Sequence, residues 1–226
     1  YALKTVFENT SKHVIIQPFS FEGVKYLLEL AQVVSGSKEN LRKRPPVTLF
    51  VCPITPFVLD GMHLEIILQC GKLGVPITSD SLPTLGATGP CTMAGTVLQT
   101  MIEILGILVV SQMLNPGTPV ICRPLMWDLD MTTGKCLHSS VEAIMTEAAC
   151  IQVIKEMFKT PVNSYGFGTD SYVPDAESSM DVTLRGMMVT LSDSDVIGAA
   201  GRMAVTSAIS PIQLMIDNAL SKILKR

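Results

Sequence analysis

Short runs of branched apolar residues alternate along this chain with longer stretches of helical periodicity. The apolar runs are typical of parallel strands that are buried on both faces. They predict strands over residues 13–17, 47–52, 75–79, 119–123, 162–166 and 195–199. Helices are predicted after them over residues 21–34, 61–73, 93–114, 139–158, 175–191 and 211–224. Six successive βα units predict an α/β fold with a parallel sheet, either an open sheet or part of a barrel.

Capping and stop signals support these boundaries. Ser20 is suited to cap the first predicted helix. The sequence Asn-Pro-Gly at 115–117 ends the third helix. Ser139 or Ser140 opens the fourth helix, and Asp175, after a proline, is predicted to cap the fifth.

A glycine-rich turn runs straight into a long apolar helix over residues 82–114. Gly86, Gly89 and Gly95 lack both the GxGxxG spacing and the lysine of a phosphate-binding P-loop. Anion binding by the backbone N–H groups that open the helix stays open as an alternative. If the turn instead lies where barrel strands end, Gly86 and Gly89 would let the backbone approach a ligand closely.

The same helix, residues 93–114, is long enough to span a bilayer. However, Glu103 lies at its middle, where a carboxylate is costly in lipid. No cluster of Lys or Arg flanks either end. We therefore predict no membrane insertion, but a helix buried between a sheet and another subunit of a homo-oligomer.

Composition excludes some functional classes. The net charge is −3, with no basic stripe, so nucleic-acid binding is not expected. Hydrophobic residues make up 47% of the chain and charged residues only 16%, which indicates extensive buried surface. The six cysteines show no CxxC pair and most lie in apolar runs, so we interpret them as small buried hydrophobic residues. The three histidines lie far apart, so no metal site is predicted. We expect a cytoplasmic protein.

Several blocks of the sequence resemble the trimethylamine methyltransferase family, and they occur in the family's order. They are PITPFVLDG (53–61), GVPITSDSLPTLGATGPCTMAG with its helix and the NPGTPVI stop (74–121), DMTTG (130–134), SSVEAIM (139–145), GTDSYVPDAESSMD (168–181) and DVIGAAGRM with SPIQLMIDN near the end. The resemblance implies a (β/α)8 TIM barrel with about six βα units in this chain. Residues 1–226 would then form a single barrel domain that is incomplete at both ends.

The resemblance also implies a reaction. Family members move a methyl group from a small methylated amine to the Co(I) of a separate corrinoid (cobalamin) protein. Founding members carry pyrrolysine, and relatives without it use quaternary amines such as betaines. This chain has no nonstandard residue, which favours either a quaternary substrate or a different way of activating the amine. The distinctive position is expected within residues 169–175, with Tyr172 as its candidate.

Aromatic faces hold quaternary ammonium groups best. Four aromatic residues fall on predicted strand-end loops and are candidates for such a cage, with core packing as the alternative for the first and third: Trp127, Tyr165, Phe167 and Tyr172. Asp80 and Asp170 are acidic candidates to face the cation, and Asp170 and Tyr172 are the predicted catalytic residues. Arg123, at the end of the fourth strand, is the candidate donor to a betaine carboxylate.

Two other functional classes remain open. One is a different TIM-barrel enzyme that uses the glycine turn as an anion-binding loop. The other is a non-catalytic member of the resembled family, which would bind an amine or a corrinoid protein without turnover.

Overall fold

The structure, a computed structural model, describes residues 1–224 and has a mixed α/β architecture. The helices within this range are α1 (Ala2–Asn9), α2 (Phe21–Ser35), α3 (Lys38–Lys43), α4 (Gly61–Leu73), α5 (Met93–Leu114), α6 (Val141–Val153), α7 (Ala176–Leu191) and α8 (Pro211–Leu224). The strands are β1 (Val14–Ile16), β2 (Val47–Leu49), β3 (Ile77–Ser81), β4 (Thr84–Leu85), β5 (Val120–Pro124), β6 (Trp127–Asp130), β7 (Lys135–Leu137), β8 (Asn163–Ser164), β9 (Val196–Ile197), β10 (Arg202–Met203) and β11 (Ala208–Ile209).

The chain divides into two compact units, and the first comprises Tyr1–Asp80 and Glu103–Ile121. In this unit β1 pairs in parallel with β2, and β2 pairs in parallel with β3. Val47, Leu49 and Ile77 on these strands are fully buried. They pack into one apolar core with residues of α2 and α4. Burial of apolar side chains on the strands is therefore what holds this unit together.

The second unit comprises Ser81–Ile102 and the chain from Cys122 onward. Here β8 pairs in parallel with β9, and Cys122 in β5 forms a parallel bridge with Val162, just before β8. The carboxyl ends of these strands therefore lie at one edge. Two antiparallel hairpins, β6–β7 and β10–β11, add to the same unit.

The prediction of an α/β fold with parallel strands is confirmed, and all six predicted helices are present. Ser20 and Asp175 cap their helices as predicted, the latter through a reciprocal capping box with Ser178. Ser140, rather than Ser139, caps α6, whose end continues as a π-helical turn, Ile154–Phe158. The sequence did not predict α1 or the hairpin strands. A single barrel domain over residues 1–226 stays a prediction.

Within the described residues, α5 is the helix long and apolar enough to cross a membrane by length and composition. Its central Glu103 is buried, and it accepts hydrogen bonds from the Thr55 hydroxyl and the Phe57 N–H, both at 3.1 Å. The six cysteines are free thiols, of which Cys91 is exposed. Burial raises the pKa of the Cys150 thiol, so that group stays protonated.

Candidate active site

The second unit contains a buried cluster of aromatic and charged side chains where its parallel strands end. Tyr165 directly follows β8 and is only 8% exposed. The guanidinium carbon of Arg123, on β5, lies 4.6 Å from the centroid of the Tyr165 ring. That of Arg202 lies 4.8 Å from the same centroid, and its Nη1 donates to the Tyr165 hydroxyl at 2.9 Å. The ring thus contacts two guanidinium groups, an arrangement that cation–π attraction favours.

A buried ion pair fixes the backbone around this ring. Arg185 on α7 and Glu147 on α6 are both fully buried and form a salt bridge. Arg185 also donates to the carbonyl oxygens of Tyr165 and His138. Glu147 accepts the Tyr165 N–H at 3.0 Å. Two helices therefore hold both backbone groups of Tyr165, so the ring has a defined position relative to α6 and α7.

Asp170 holds the segment that precedes α6. Its carboxylate accepts the His138 N–H at 2.8 and 3.1 Å and the Ser139 N–H at 2.9 Å. Burial raises the pKa of Asp170, although these two N–H donors act in the opposite direction. Asp181 accepts the Asp170 N–H and the Thr169 hydroxyl in turn. Asp170 therefore fixes the backbone of His138 through the His138 N–H.

His138 is fully buried, and its ring contacts Tyr165 edge-on with 5.9 Å between the centroids. Neither of its ring nitrogens has a hydrogen-bond partner. Burial, together with the positive charges of Arg185 and Arg202, lowers the pKa of His138 well below its usual range. The imidazole is therefore neutral near pH 7, with one nitrogen that donates and one that accepts.

Burial also raises the pKa of Glu147, while the charge of Arg185 acts to lower it. Because Glu147 touches Arg185 directly and also accepts a backbone N–H, its ionised form has two partners. Paired and hydrogen-bonded carboxylates are the ones that stay charged in protein interiors. Glu147 and Arg185 therefore form a charged pair.

Of the predicted site residues, Arg123, Tyr165 and Asp170 lie in or beside this cluster. Phe167 is buried and lines a cavity of about 530 Å³, whose other walls are mainly residues of the segment 194–200 and of α8. Tyr172 is 78% exposed, and the structure does not bring it into the cluster.

The remaining predicted residues lie on other elements. Trp127 begins β6 and is half-buried, with its indole N–H buried and without a partner. Gly86 has a φ of +77°, and Gly89 donates its N–H to the Thr84 carbonyl at 2.9 Å, so both shape the turn after β4. Asp80 is buried in the first unit.

Sequence reasoning missed Glu147, Arg185 and Arg202 and left His138 unassigned. A signal was present for the first two. Glu147 lies three residues after Ile144 and four before Ile151, on the buried face of α6. Arg185 occupies the equivalent place between Val182 and Val189 on α7. A charge on the apolar face of a helix requires a buried partner.

A charged and aromatic cluster where parallel strands end is typical of α/β enzymes, which bind their ligands there. In line with this class, the profile of the trimethylamine methyltransferase (MTTB) family matches residues 2–226. The chain belongs to this family.

Curated relatives agree with the assignment. Trimethylamine methyltransferase MttB of Desulfitobacterium hafniense (strain DSM 10664 / DCB-2) is 30% identical over 99% of this chain and 45% of its own length. MttB of Methanosarcina thermophila is 27% identical over 98% of this chain and 46% of its own length. Glycine betaine methyltransferase of D. hafniense (strain Y51) is 26% identical over 87% of this chain and 41% of its own length. The chain therefore spans less than half of the length of these relatives.

Proposed function

We propose that the protein is a (β/α)8-barrel methyltransferase. It moves a methyl group from a methylated amine, preferably a quaternary one, to the Co(I) of a corrinoid protein. Support comes from the family match along residues 2–226 and from relatives named for trimethylamine and for glycine betaine. The parallel βα succession is consistent with part of such a barrel.

The observation that carries the proposal is the family match over residues 2–226. The cluster around Tyr165 lies where β5 and β8 end, which is where α/β enzymes bind their ligands. A quaternary ammonium already carries the positive charge that makes its amine a good leaving group, so the protein need not supply a proton. Its task is to orient one methyl group and to exclude water. Rigid support of Tyr165 by Glu147 and Arg185 suits that task.

The acceptor would be brought by a partner protein. Within residues 1–224 there is no group of three His, Cys, Asp or Glu side chains that could hold a metal ion. In the proposal the reduced corrinoid supplies the nucleophile, and the present chain supplies the substrate site. Trp127, Phe167 and Tyr172 remain candidates for contacts with the ammonium group. The glycine turn with Gly86 and Gly89 remains a candidate for the rim of the substrate site. Asp170 acts by fixing His138.

The test incubates the full-length protein with its reduced corrinoid protein and a panel of trimethylamine, tetramethylammonium and glycine betaine. Consumption of the Co(I) absorbance with at least one amine is expected. An unchanged absorbance with every amine, although binding is detected, would identify a non-catalytic family member and refute the proposal.

We also propose that the protein is a homo-oligomer in which a second copy covers the outer face of α5. This face is apolar along the whole helix. Its exposed members are Leu98, Ile102, Leu105, Val109 and Met113.

A further inference from the structure

We propose that the groove between α2 and α4 binds α8 of a second copy of this chain. The groove belongs to the first unit and α8 to the second, so the contact joins two different surfaces. It is separate from the α5 contact described above, and it does not depend on the methyl transfer. The partner is identified by the match of the two surfaces in apolar character, length and charge.

The groove between α2 and α4 has an apolar floor. It encloses about 460 Å³, and its floor includes Val24, Leu28 and Leu73. Val24 and Leu28 are buried members of the core of the first unit, whereas Phe21, at one end of the groove, is 60% exposed. Amphipathic helices bind in grooves of this kind and insert apolar side chains from successive turns. The floor is therefore suited to the apolar face of a helix.

The rim of the groove is acidic. Its charged residues are Glu22, Lys25, Glu29 and Glu65. Lys25 and Glu29 form a salt bridge at 4.0 Å and so offset each other. Glu65 accepts a hydrogen bond from the neutral Gln69 amide at 2.7 Å, and within residues 1–224 no cation pairs with Glu22 or Glu65. The groove therefore presents two uncompensated negative charges to a partner.

The outer face of α8 has an apolar stripe. Ile212, Met215 and Ile223 are 64%, 76% and 65% exposed, and Ala219 between them is exposed too. Their spacing of three or four residues places them on one side of the helix. Asp217, the acidic residue of α8, is fully buried and does not reach this side. The stripe is therefore apolar and free of negative charge.

The C-terminal end of α8 is basic. Lys222 is exposed in its last turn, and the next residues of the sequence are Lys225 and Arg226. If this end lies beside Glu22 and Glu65, opposite charges attract across the contact. The charges also fix the direction of α8 in the groove, because the reversed helix would leave the two glutamates unpaired.

Other helices of a second copy match the groove less well. The helix α5 has an apolar outer stripe, but its sequence contains no Lys or Arg. The helix α3 ends in Arg42 and Lys43, but its Leu41 is fully buried. In α8 both features occur together. Its stripe spans residues 212–223 and the groove follows residues 21–32 of α2, so each is about 18 Å long at 1.5 Å per residue.

The test is sedimentation velocity of the full-length protein with Val109→Glu, a change that removes the α5 contact. We expect this protein to remain associated at micromolar concentration. Met215→Asp should then weaken the association by about 30-fold or more, because it places an unpaired charge in an apolar groove. Met157→Asp, at a methionine that is 72% exposed in the π-helical turn, is the matched control and should have no effect. A monomeric Val109→Glu protein, or equal effects of the two aspartates, would overturn the proposal.

Charge reversal identifies α8 as the occupant of the groove. Glu22→Lys together with Glu65→Lys should weaken the association by about 3- to 10-fold, the range expected for exposed ion pairs. Lys222→Glu should weaken the parent protein to a similar extent. In the protein with the reversed groove, Lys222→Glu should instead strengthen the association, because the attraction returns with the signs exchanged.

The remaining outcomes refute the contact in different ways. Weakening by Lys222→Glu in both proteins alike would show that α8 lies elsewhere. No effect of the reversed groove would show that the groove is empty or holds a different protein. If Val109→Glu leaves the assembly unchanged while Met215→Asp dissociates it, the α5 contact fails and the groove contact stands.

Discussion

Removal of the charge on Glu147 should destabilise the protein strongly. Glu147→Gln keeps the size of the side chain and an oxygen that can still accept the Tyr165 N–H. It takes away the negative charge that faces Arg185, and both side chains are fully buried. Loss of one partner from a buried ion pair costs about 3–5 kcal/mol, because the other charge is left uncompensated. This is a large part of the roughly 5–15 kcal/mol by which a typical protein is stable.

The measurement is urea unfolding followed by circular dichroism. With a slope of about 2–3 kcal/mol per molar urea, the midpoint should fall by about 1–2 M while the slope stays constant. Glu142→Gln makes the same change on the exposed side of α6 and should lie within about 0.5 kcal/mol of the wild type. A midpoint for Glu147→Gln that matches this control would show that Glu147 is neutral in the folded protein. The charged-pair argument would then be wrong.

Four further changes test other parts of the structure. Gly86→Ala should destabilise the protein by about 1 kcal/mol or more in thermal unfolding, since φ is +77° and Met131 Cε would lie 3.0 Å from the new Cβ. The control is Gly106→Ala, which adds a Cβ in open space on α5 and should stabilise the protein by about 0.5–1 kcal/mol. Asp170→Asn should speed hydrogen exchange at the His138 and Ser139 amides and leave the Thr132 amide, which Asp130 holds, unchanged. The His63 N–H lowers the pKa of Asp60, so this carboxylate stabilises the fold above its ordinary pKa and ceases to as pH falls through its lowered pKa. Asp60→Asn should therefore reduce the melting temperature at neutral pH, and the difference should shrink as the solution is acidified; a constant difference would contradict this. Val109→Glu on α5 should shift the protein to a smaller species in sedimentation velocity, whereas Val33→Glu, at an exposed valine of α2, should not; equal behaviour would count against the α5 interface.

Periodicity was enough to predict the long elements. Helices such as α4 and α5 carry their caps and stop signals in the sequence, so their bounds follow from local rules. The short strands and hairpins were harder to predict, because two to four residues show too little alternation to be recognised. The β6–β7 hairpin turns on Asp130 and Gly134, with Asp130 accepting the Thr133 hydroxyl at 2.5 Å, and this turn signal was present but not used.

The site was predictable only in part, for a physical reason. Arg123 and Tyr165 were recognisable because they follow strands, and strand ends meet at one edge of a parallel sheet. The role of Arg185 depends on residues 38 and 47 positions away along the chain. Such partners are set by how α6 and α7 pack, which local patterns do not specify. The aromatic-cage hypothesis weighed ring faces but not the guanidinium groups that now contact Tyr165.

The character of α5 explains why its sequence supported such different interpretations. Its polar side chains point inward, where the Thr96 hydroxyl donates to the Pro90 carbonyl at 2.9 Å and Gln99 donates to the Thr88 carbonyl at 3.0 Å. Its exposed positions are apolar, the reverse of an ordinary surface helix. Inward polar groups are stable because each is hydrogen-bonded, but an outward apolar stripe lowers its free energy only if something covers it. Because the stripe carries no charge along its length, a second copy with the same stripe is a suitable partner, and the isologous contact of a twofold dimer would bury both.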